Sequence, residues 1–428
     1  MPIDPQILIP KNNLNHLLQI DSALKGAGFE CFLVGGSVRD LVMGKIPKEY
    51  DLTTNAEPKQ VKRLFRTVID TGIEHGTVTV VLDKVHYEVT TYRIDKDYTD
   101  GRRPDHVEFG TTLSEDLKRR DFTMNALAYD LTTGLLVDEH SGQKDIQERK
   151  IRTIGDPIKR FSEDGLRPIR ALRFASTLGF EIEPETKKAI HETKQITKKI
   201  SLERFQDEIL KSFIGQNPSR MIQLLVEEGI FQIFLPSLPT ELNPQKYFLE
   251  RLDQTSKEII GLQLALAFYS FLADTTSKEV ETILRTLKFS GQNTKDCLLF
   301  FDFISKWESN LKKTNIDEFL LKKEYLAPVK RHFQNRFKID REFILKLTPI
   351  FGETTMQLVQ IWEEEPPLLL TDMKLNGNHL TESFPDLAKT HYGTVLNLLL
   401  DLVLHSPKEN EYSRLLRHSA QFISNLIK

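Results

Sequence analysis

Four short clusters in this 428-residue chain hold side chains of the kinds that do chemistry. The first is GGSVRD at 35–40, followed closely by Glu49-Tyr50-Asp51. Paired glycines after a strand let backbone N–H groups approach a phosphate, and the start of a following helix favours negative charge. Gly36 would permit that approach and Arg39 would add a cation. If Glu49 and Asp51 lie in a strand, residues two apart point to one face. Two carboxylates so placed can share a pair of Mg²⁺ ions, which activate an attacking hydroxyl and hold a triphosphate. Glu88, on the segment HYEVTTYR, is a candidate third carboxylate. Taken alone, each feature has a plainer account, since most Gly-Gly pairs only turn the chain and most surface acids are only solvated.

The second cluster is RRDFTMNAL at 119–127. Arg119 and Arg120 suit triphosphate oxygens. Asp121 can accept from a ribose hydroxyl, and Asn125 can offer an amide hydrogen bond. The third is EDGLRPIRALRF at 163–174, where Asp164 and Arg167 share a face if both are helical. An aspartate beside an arginine can satisfy the Watson–Crick edge of a base, and Arg170 and Arg173 continue that face. A surface ion pair is the plainer account, and it would contribute little. In the fourth cluster, ERFQDEILK at 203–211, Glu203, Arg204 and Glu208 are expected to brace the preceding helix.

These side chains need elements to carry them. Leu14, Leu17, Leu18 and Leu24 recur at helical spacing over 12–26, with Gly26 and Gly28 placed to end that helix through positive φ. CFLVGG (31–36) reads as a buried strand entering a glycine turn, with Ser37 as cap of a short helix. YDLTTN (50–55) is a second strand, and a helix follows near 57–65. GTVTVVL (76–82) and HYEVTTYR (86–93) read as paired strands, and LAYDLTTGLLVD (127–138) as a hairpin. The first ~140 residues are therefore a mixed α/β unit. Beyond about residue 160, apolar residues repeat at helical spacing and strand signals nearly vanish. Breaks fall near Pro184, Asn217-Pro218, Pro236 to Pro244 and Pro366-Pro367. The most basic stretch, 321–341, interleaves Tyr325, Phe333 and Phe337 with cations. It is either an RNA backbone contact or a helix with rings inward and cations outward.

Composition narrows the class. The chain is 39% hydrophobic and 28% charged, with net charge -3. That balance fits a soluble globular protein of roughly two to four domains. No run of about 20 apolar residues marks a membrane span, and the start of the chain does not read as a secretory signal. Two cysteines, Cys31 and Cys297, are too few for a disulfide framework, which fits a cytoplasmic setting. The net charge leaves a nucleic-acid partner open, because a local basic stripe is enough to hold phosphates.

Read together, the clusters resemble the class II CCA-adding tRNA nucleotidyltransferases and bacterial poly(A) polymerases. The matching segments are LVGGSVRDLVMG, YDLTTNAEP, EHGTV, YEVTTYR, RRPDHVEFGTTLSEDLKRRDFTMNALAYD, RTIGDPIKRFSEDGLRPIRALRFA and ERFQDEILK, in order over residues 31–211. The resemblance implies an α+β fold: a polymerase-β-like head (1–145), then an all-helical neck (146–215), body (216–345) and tail (346–428). It implies template-independent addition of CMP and AMP, from CTP and ATP, to the tRNA 3′ end. The metal role falls on Glu49 and Asp51 with Mg²⁺. Nucleotide contacts fall on Gly36, Arg39, Arg120, Asp121, Asn125, Asp164, Arg167, Arg170 and Arg173. Asp164 and Arg167 would read the incoming base, so that protein replaces a nucleic-acid template. YRIDKDYTDGRRPDHVEFG (92–110) corresponds to the family's flexible loop, and its full length favours A-addition over a CC-only product.

Two residues depart from the family pattern. Glu49 stands where aspartate is usual, an extra methylene that moves the carboxylate by about 1.5 Å at most. Pro168 falls in the base-reading helix, where a proline removes a hydrogen bond and can kink the axis. The helical half also lacks the His-Asp pair of the phosphohydrolase domain that some relatives carry, so that second activity is not expected. The alternatives within the family are an A-adding enzyme or a poly(A) polymerase; outside it, an inactive RNA-binding relative.

Overall fold

The computed structural model describes residues 5–96, 106–311 and 316–427. They form two compact units: Met1–Leu242 with Thr286–Phe289, and Asn243–Arg285 with Ser290–Lys428.

The first unit is built on a mixed sheet. Its strands are β1 (Phe32–Val34), β2 (Asp51–Thr54), β3 (Val68–Gly72), β4 (Thr77–Leu82), β5 (Val85–Thr91), β6 (Arg93–Lys96), β7 (His106–Phe109), β8 (Ala128–Tyr129) and β9 (Leu136–Val137). Seven of them join in the order β3-β4-β5-β2-β1-β8-β9, while β6 and β7 pair separately. β2 and β5 run parallel, which sets Asp51 directly beside Glu88. Alternation explains β5: Tyr87 and Val89 are buried while His86 and Glu88 are exposed. The helix Lys11–Gly26 buries Leu17, Ile20 and Leu24. It is tied to the sheet where His16 Nδ1 lies 3.0 Å from the Tyr87 hydroxyl and Lys25 donates to Asp130 at 2.7 Å. Gly28 turns the chain after this helix with φ of 87°, while Gly26 is its last helical residue.

Some local expectations change. Ser37 lies inside the helix Gly36–Val42 and donates back to the Val34 carbonyl at 2.7 Å; Gly35, not Ser37, holds the cap position. β2 begins at Asp51, so Glu49 sits in the bend before the strand and the two-residue strand geometry does not apply to the pair. β3 and the β6–β7 ladder carry no clear signal in the sequence. β3 lies at the sheet edge, and its five residues are all at least partly exposed, so no apolar alternation marks it.

After the sheet the unit becomes helical. Helices start with proline at Pro157–Glu163, Pro184–Glu192 and Pro218–Glu227, where fixed φ suits the first turn and no bond is lost. Pro168 benefits from the same rule. The helix that carries it runs Leu166–Leu178, so the proline is its third residue. The first four N–H groups of a helix have no intrahelical partner, so Pro168 removes no hydrogen bond and the expected kink has no cause.

The second unit has no strand among its described residues. Its centre is the helix Ile260–Leu272, apolar on nearly every side, beside Gly291–Leu311, where Tyr269 and Phe301 meet edge to face at 4.9 Å. No described helix is long and apolar enough to cross a membrane. The basic stretch resolves toward the plainer of its two accounts. Tyr325 and Phe333 are buried, Lys322 is buried against the Leu404 carbonyl and Glu318, and Lys323, Lys330 and Arg336 pair with Asp401, Asp372 and Asp296.

Candidate active site

One cleft of about 740 Å³ in the first unit gathers the pair Glu49 and Asp51 and every residue to which the sequence assigned nucleotide contact. Gly36, Arg39, Glu49, Asp51, Arg120, Asp121, Asn125, Asp164, Arg167, Arg170 and Arg173 all line it. Arg119 also lines it, with His75, Arg93, Phe174, Arg204 and Lys211 beyond the assigned set. Nine Lys or Arg side chains thus face four carboxylates, a surplus that suits a polyanion such as a triphosphate.

The floor is made by strand ends. β1 leads into Gly35, which adopts φ of 70°. A Cβ at this position would meet Arg120 Nη1 at 3.2 Å, so conformation and space both favour glycine. Asp51 opens β2 opposite Val34. Burial pushes the Asp51 carboxyl up, Glu88 and Glu49 add to the shift, and Arg120 partly offsets it, leaving it at about 6. Glu88 is the neighbour of Asp51 in register but is not among the cleft-lining residues. Among the described residues neither Asp51, Glu49 nor Glu88 is in an ion pair, although cations crowd the cleft. Crowded carboxylates left without a protein cation are a donor set that fits a hard divalent ion. No group of three or more His, Cys, Asp or Glu suited to a metal occurs among the described residues, so a metal here would rest on Asp51 and Glu49, with its remaining positions open to water or phosphate oxygen.

The RRD cluster follows the helix Leu113–Lys118. Asp116, fully buried on that helix, holds Arg119 at 2.7 Å and Arg120 at 3.1 Å. Burial raises its carboxyl, and the two arginines outweigh that and bring it below the usual range. Sequence reasoning missed Asp116, although an acid three and four residues before a pair of arginines is the spacing that allows this contact.

Asp121 and Asn125 line the cleft and also brace its cations. Asp121 Oδ1 accepts from the Phe122 amide at 2.8 Å and from Asn125 Nδ2 at 3.1 Å; its Oδ2 accepts from Arg170. Asn125 Oδ1 accepts from Arg39 Nη1 at 2.8 Å. Both ends of the Asn125 amide therefore have protein partners, and the chain Arg39–Asn125–Asp121–Arg170 fixes two cations across the cleft. Burial acts to raise the Asp121 carboxyl, but Arg170, Asn125 and Arg167 bring it down to about 2.

The base-reading candidates sit where two helices meet. Asp164 is the residue after the helix Pro157–Glu163, not on the face of Leu166–Leu178 that bears Arg167. Arg204 Nη1 and Nη2 donate to Asp164 Oδ1 and Oδ2 at 3.2 and 2.9 Å, and the Leu166 amide also donates to Oδ1 at 2.9 Å. Arg167 Nη1 donates to Glu163 and to the Arg160 carbonyl, and its Nη2 donates to the Arg119 carbonyl at 3.1 Å. A carboxylate oxygen accepts about two hydrogen bonds and a guanidinium carries five N–H groups. Asp164 Oδ2 therefore keeps one acceptor site, and Arg167 keeps the donors on Nε and Nη2, among the described residues. One acceptor beside one donor edge is what the amino group and ring nitrogen of cytosine or adenine require.

The fourth cluster braces as expected through two of its three residues. Arg204 holds Asp164, and Glu208, buried, accepts from Arg173. Glu203 is exposed. Burial lowers the Arg173 guanidinium despite this acid. The expected flexible loop falls partly on residues 97–105, outside the described residues; its flanks pair as β6 and β7, from Arg93 opposite Phe109 to Lys96 opposite His106.

The chain is similar to known proteins of one family. Residues 31–152 match the Poly A polymerase head domain, and residues 179–242 match the probable RNA and SrmB-binding site of polymerase A. A CCA-adding enzyme of Lactobacillus helveticus is 41% identical over 295 residues, covering 67% of this chain and 71% of the relative. One from Levilactobacillus brevis is 43% identical over 265 residues, covering 62% of this chain and 65% of the relative. The crystal structure of a Bacillus stearothermophilus CCA-adding enzyme in complex with CTP superposes with a TM-score of 0.78 at 27% identity, covering 97% of this chain and 99% of that one. With its mixed-sheet head, its helical remainder and the ordered motifs that line one cleft, this chain belongs to the CCA-adding enzyme family.

Proposed function

We propose that this chain is a CCA-adding nucleotidyltransferase, transferring CMP and then AMP from CTP and ATP to the 3′ end of tRNA. The observation that carries the reading is the cleft itself, which sets Asp51 and Glu49, a surplus of cations and a single acceptor–donor edge around one space. In the reaction the terminal ribose oxygen attacks the α-phosphorus and pyrophosphate leaves. Arg39, Arg120, Arg170 and Arg173 hold the triphosphate in line, which supplies much of the catalysis in phosphoryl transfer. A Mg²⁺ ion held by Asp51 and Glu49 would favour the deprotonated hydroxyl and offset charge on the phosphates. Asp164 accepts from the amino group of cytosine or adenine, and Arg167 donates to the ring nitrogen beside it. Uracil and guanine present a carbonyl where that amino group belongs, which leaves a polar group unpaired at a cost of roughly 1–3 kcal/mol.

Within this reading the head (1–145) carries the chemistry, the neck (146–215) reads the base, and the body and tail (216–345 and 346–428) hold the tRNA. The cytoplasm is the proposed setting, supported by two buried, unpaired cysteines. The test is incubation of the purified protein with tRNA lacking its 3′ end, with CTP and ATP supplied separately and together. Two C residues from CTP alone and a full CCA end from both are expected. Extension only by A, in single or long runs, would assign an A-adding enzyme or a poly(A) polymerase instead.

A further inference from the structure

Among the described residues, Phe174 is the one aromatic ring on the cleft wall apart from His75, and none of the sequence motifs gives it a part. It is 5% exposed and packs edge to face on Phe122 with ring centroids 5.7 Å apart. Three guanidiniums surround it. The Arg173 carbon lies 3.9 Å from the ring centroid, that of Arg39 at 5.3 Å, and that of Arg170 at 5.4 Å. Cations this near are drawn to the ring's electron-rich face, most strongly where water is excluded. Two of the three are also joined through Asn125 and Asp121. Hydrogen bonds and ring contacts therefore close a circuit: Arg39, Asn125, Asp121, Arg170, Phe174, and back to Arg39.

The circuit answers an electrostatic difficulty. Three like charges gathered around one ring repel, and each is balanced by one carboxylate: Arg39 by Asp40 at 2.7 Å, Arg170 by Asp121 at 2.7 Å and Arg173 by Glu208. A neutral ring attracts all three without adding to the negative charge of those carboxylates, so it does not weaken further their pull on an incoming anion. A fourth carboxylate at this position would hold the cations as well but would cancel the attraction for phosphate.

We infer that Phe174 is a positioning residue for nucleotide binding: its ring holds Arg39, Arg170 and Arg173 in the array that receives the triphosphate. The inference rests on the nucleotidyltransferase reading for the identity of the anion. A cation–π contact shifts an equilibrium by about 2- to 30-fold, from exposed to desolvated sites. Three contacts on one ring place the loss of the ring toward the upper part of that range.

The test uses the full chain with Phe174→Leu and Phe174→Met, which fill similar apolar space without a π face, and Phe174→Tyr, which restores the ring. Two quantities are read: inhibition by inorganic tripolyphosphate, and KM against kcat for CTP and for ATP. The expected result is tripolyphosphate affinity and KM worse by about 5- to 30-fold in the Leu and Met variants, equally for both nucleotides, with kcat changed far less. The Tyr variant should recover most of the loss. The inference is overturned if either apolar variant keeps wild-type tripolyphosphate affinity, or if Tyr loses as much as Leu and Met, which would make the residue a matter of packing alone. Wild-type protein that binds tripolyphosphate but adds no nucleotide to tRNA would sink the functional reading and leave the inference about the array standing.

Discussion

The hold of Arg204 on Asp164 gives the sharpest test of how a base is chosen without a template. Asp164 lies between helices, where a single backbone contact, from the Leu166 amide, holds its side chain. Its orientation is set by two parallel donations from Arg204, at 3.2 and 2.9 Å, and one from the Leu166 amide. Arg204→Ala removes the fork and leaves the single backbone contact. Hydrogen bonds to charged groups contribute about 1.5–3 kcal/mol each when buried. The two side chains are 29% and 20% exposed, and solvent screening reduces that figure, so about 1–2 kcal/mol is a fair net for the pair. If that energy keeps Asp164 aimed at the amino group, selection of CTP over UTP should fall by about 5- to 30-fold. Arg204→Lys keeps the charge but loses the fork, so it should fall between wild type and alanine. The assay is the ratio of kcat/KM for CTP and UTP on one tRNA lacking its 3′ end. Asp164→Ala combined with Arg204→Ala should be no less selective than Asp164→Ala alone, since the partner has nothing left to orient. An unchanged ratio in Arg204→Ala with activity intact would refute the reasoning and reduce Arg204 to a helix brace.

Three further outcomes follow from charge. The Asp51 carboxyl at about 6 lies above its unfolded value, so its ionised form destabilises the native state above that pH, and the penalty fades as pH falls toward 4. In metal-free buffer Asp51→Asn should therefore melt higher than wild type at pH 8 and equal to it near pH 4, whereas added Mg²⁺ should raise the melting temperature of wild type only. Asp121, at about 2, has the opposite sign: its stabilisation is present above the unfolded carboxyl range and is lost as pH falls toward 2. Asp121→Asn should cost about 2 kcal/mol at pH 7, read by urea unfolding, with the difference closing below pH 4. In the second unit, replacing Lys322, Lys323, Lys330 and Arg331 together should lower the melting temperature while the salt slope of tRNA binding changes by no more than about one phosphate contact, because three of the four are engaged within the protein. A slope reduced by several contacts would show that those lysines leave their partners to meet RNA.

What the sequence discloses about this site depends on how the chemistry is encoded. Residue types that must meet a triphosphate or a base recur as short ordered strings, and all eleven assigned residues line one cleft. The strands beneath them are legible where one face is buried, as in Tyr87 and Val89 of β5, and illegible at the edge, where β3 is exposed on both faces. Partnership is harder to read. Asn125 reads in sequence as a ligand contact because an amide can serve any neighbour, and only the fold shows that it also joins Arg39 to Asp121. Phe174 looks like core because apolar residues on a helix usually are, and its three cations come from two separate segments of the chain. In the second unit, the same ambiguity makes a helix with inward rings and paired lysines resemble a nucleic-acid platform.

The two departures from the family pattern look alike in sequence and differ in the fold. Pro168 costs a hydrogen bond only if its helix begins at Asp164 or earlier. Beginning instead at Leu166, the helix places the proline where its missing N–H is never used, and the preceding break frees Asp164 to be gripped by Arg204. Glu49 is a change of reach rather than of charge. It precedes the strand, in a bend, and is exposed, so its backbone is not locked to the pleat that fixes Asp51. A longer side chain on a less constrained backbone can meet the same ion from farther away, with more side-chain freedom to lose on binding. Glu49→Asp should therefore separate reach from order. If the bend already brings the backbone close, the shorter acid binds Mg²⁺ more tightly, read as a larger metal-induced rise in melting temperature. If the glutamate is needed to span the gap, that rise shrinks toward the value in Glu49→Ala. An equal rise in wild type, Glu49→Asp and Glu49→Ala would remove Glu49 from the metal site and leave Asp51 to hold the ion with water and phosphate alone.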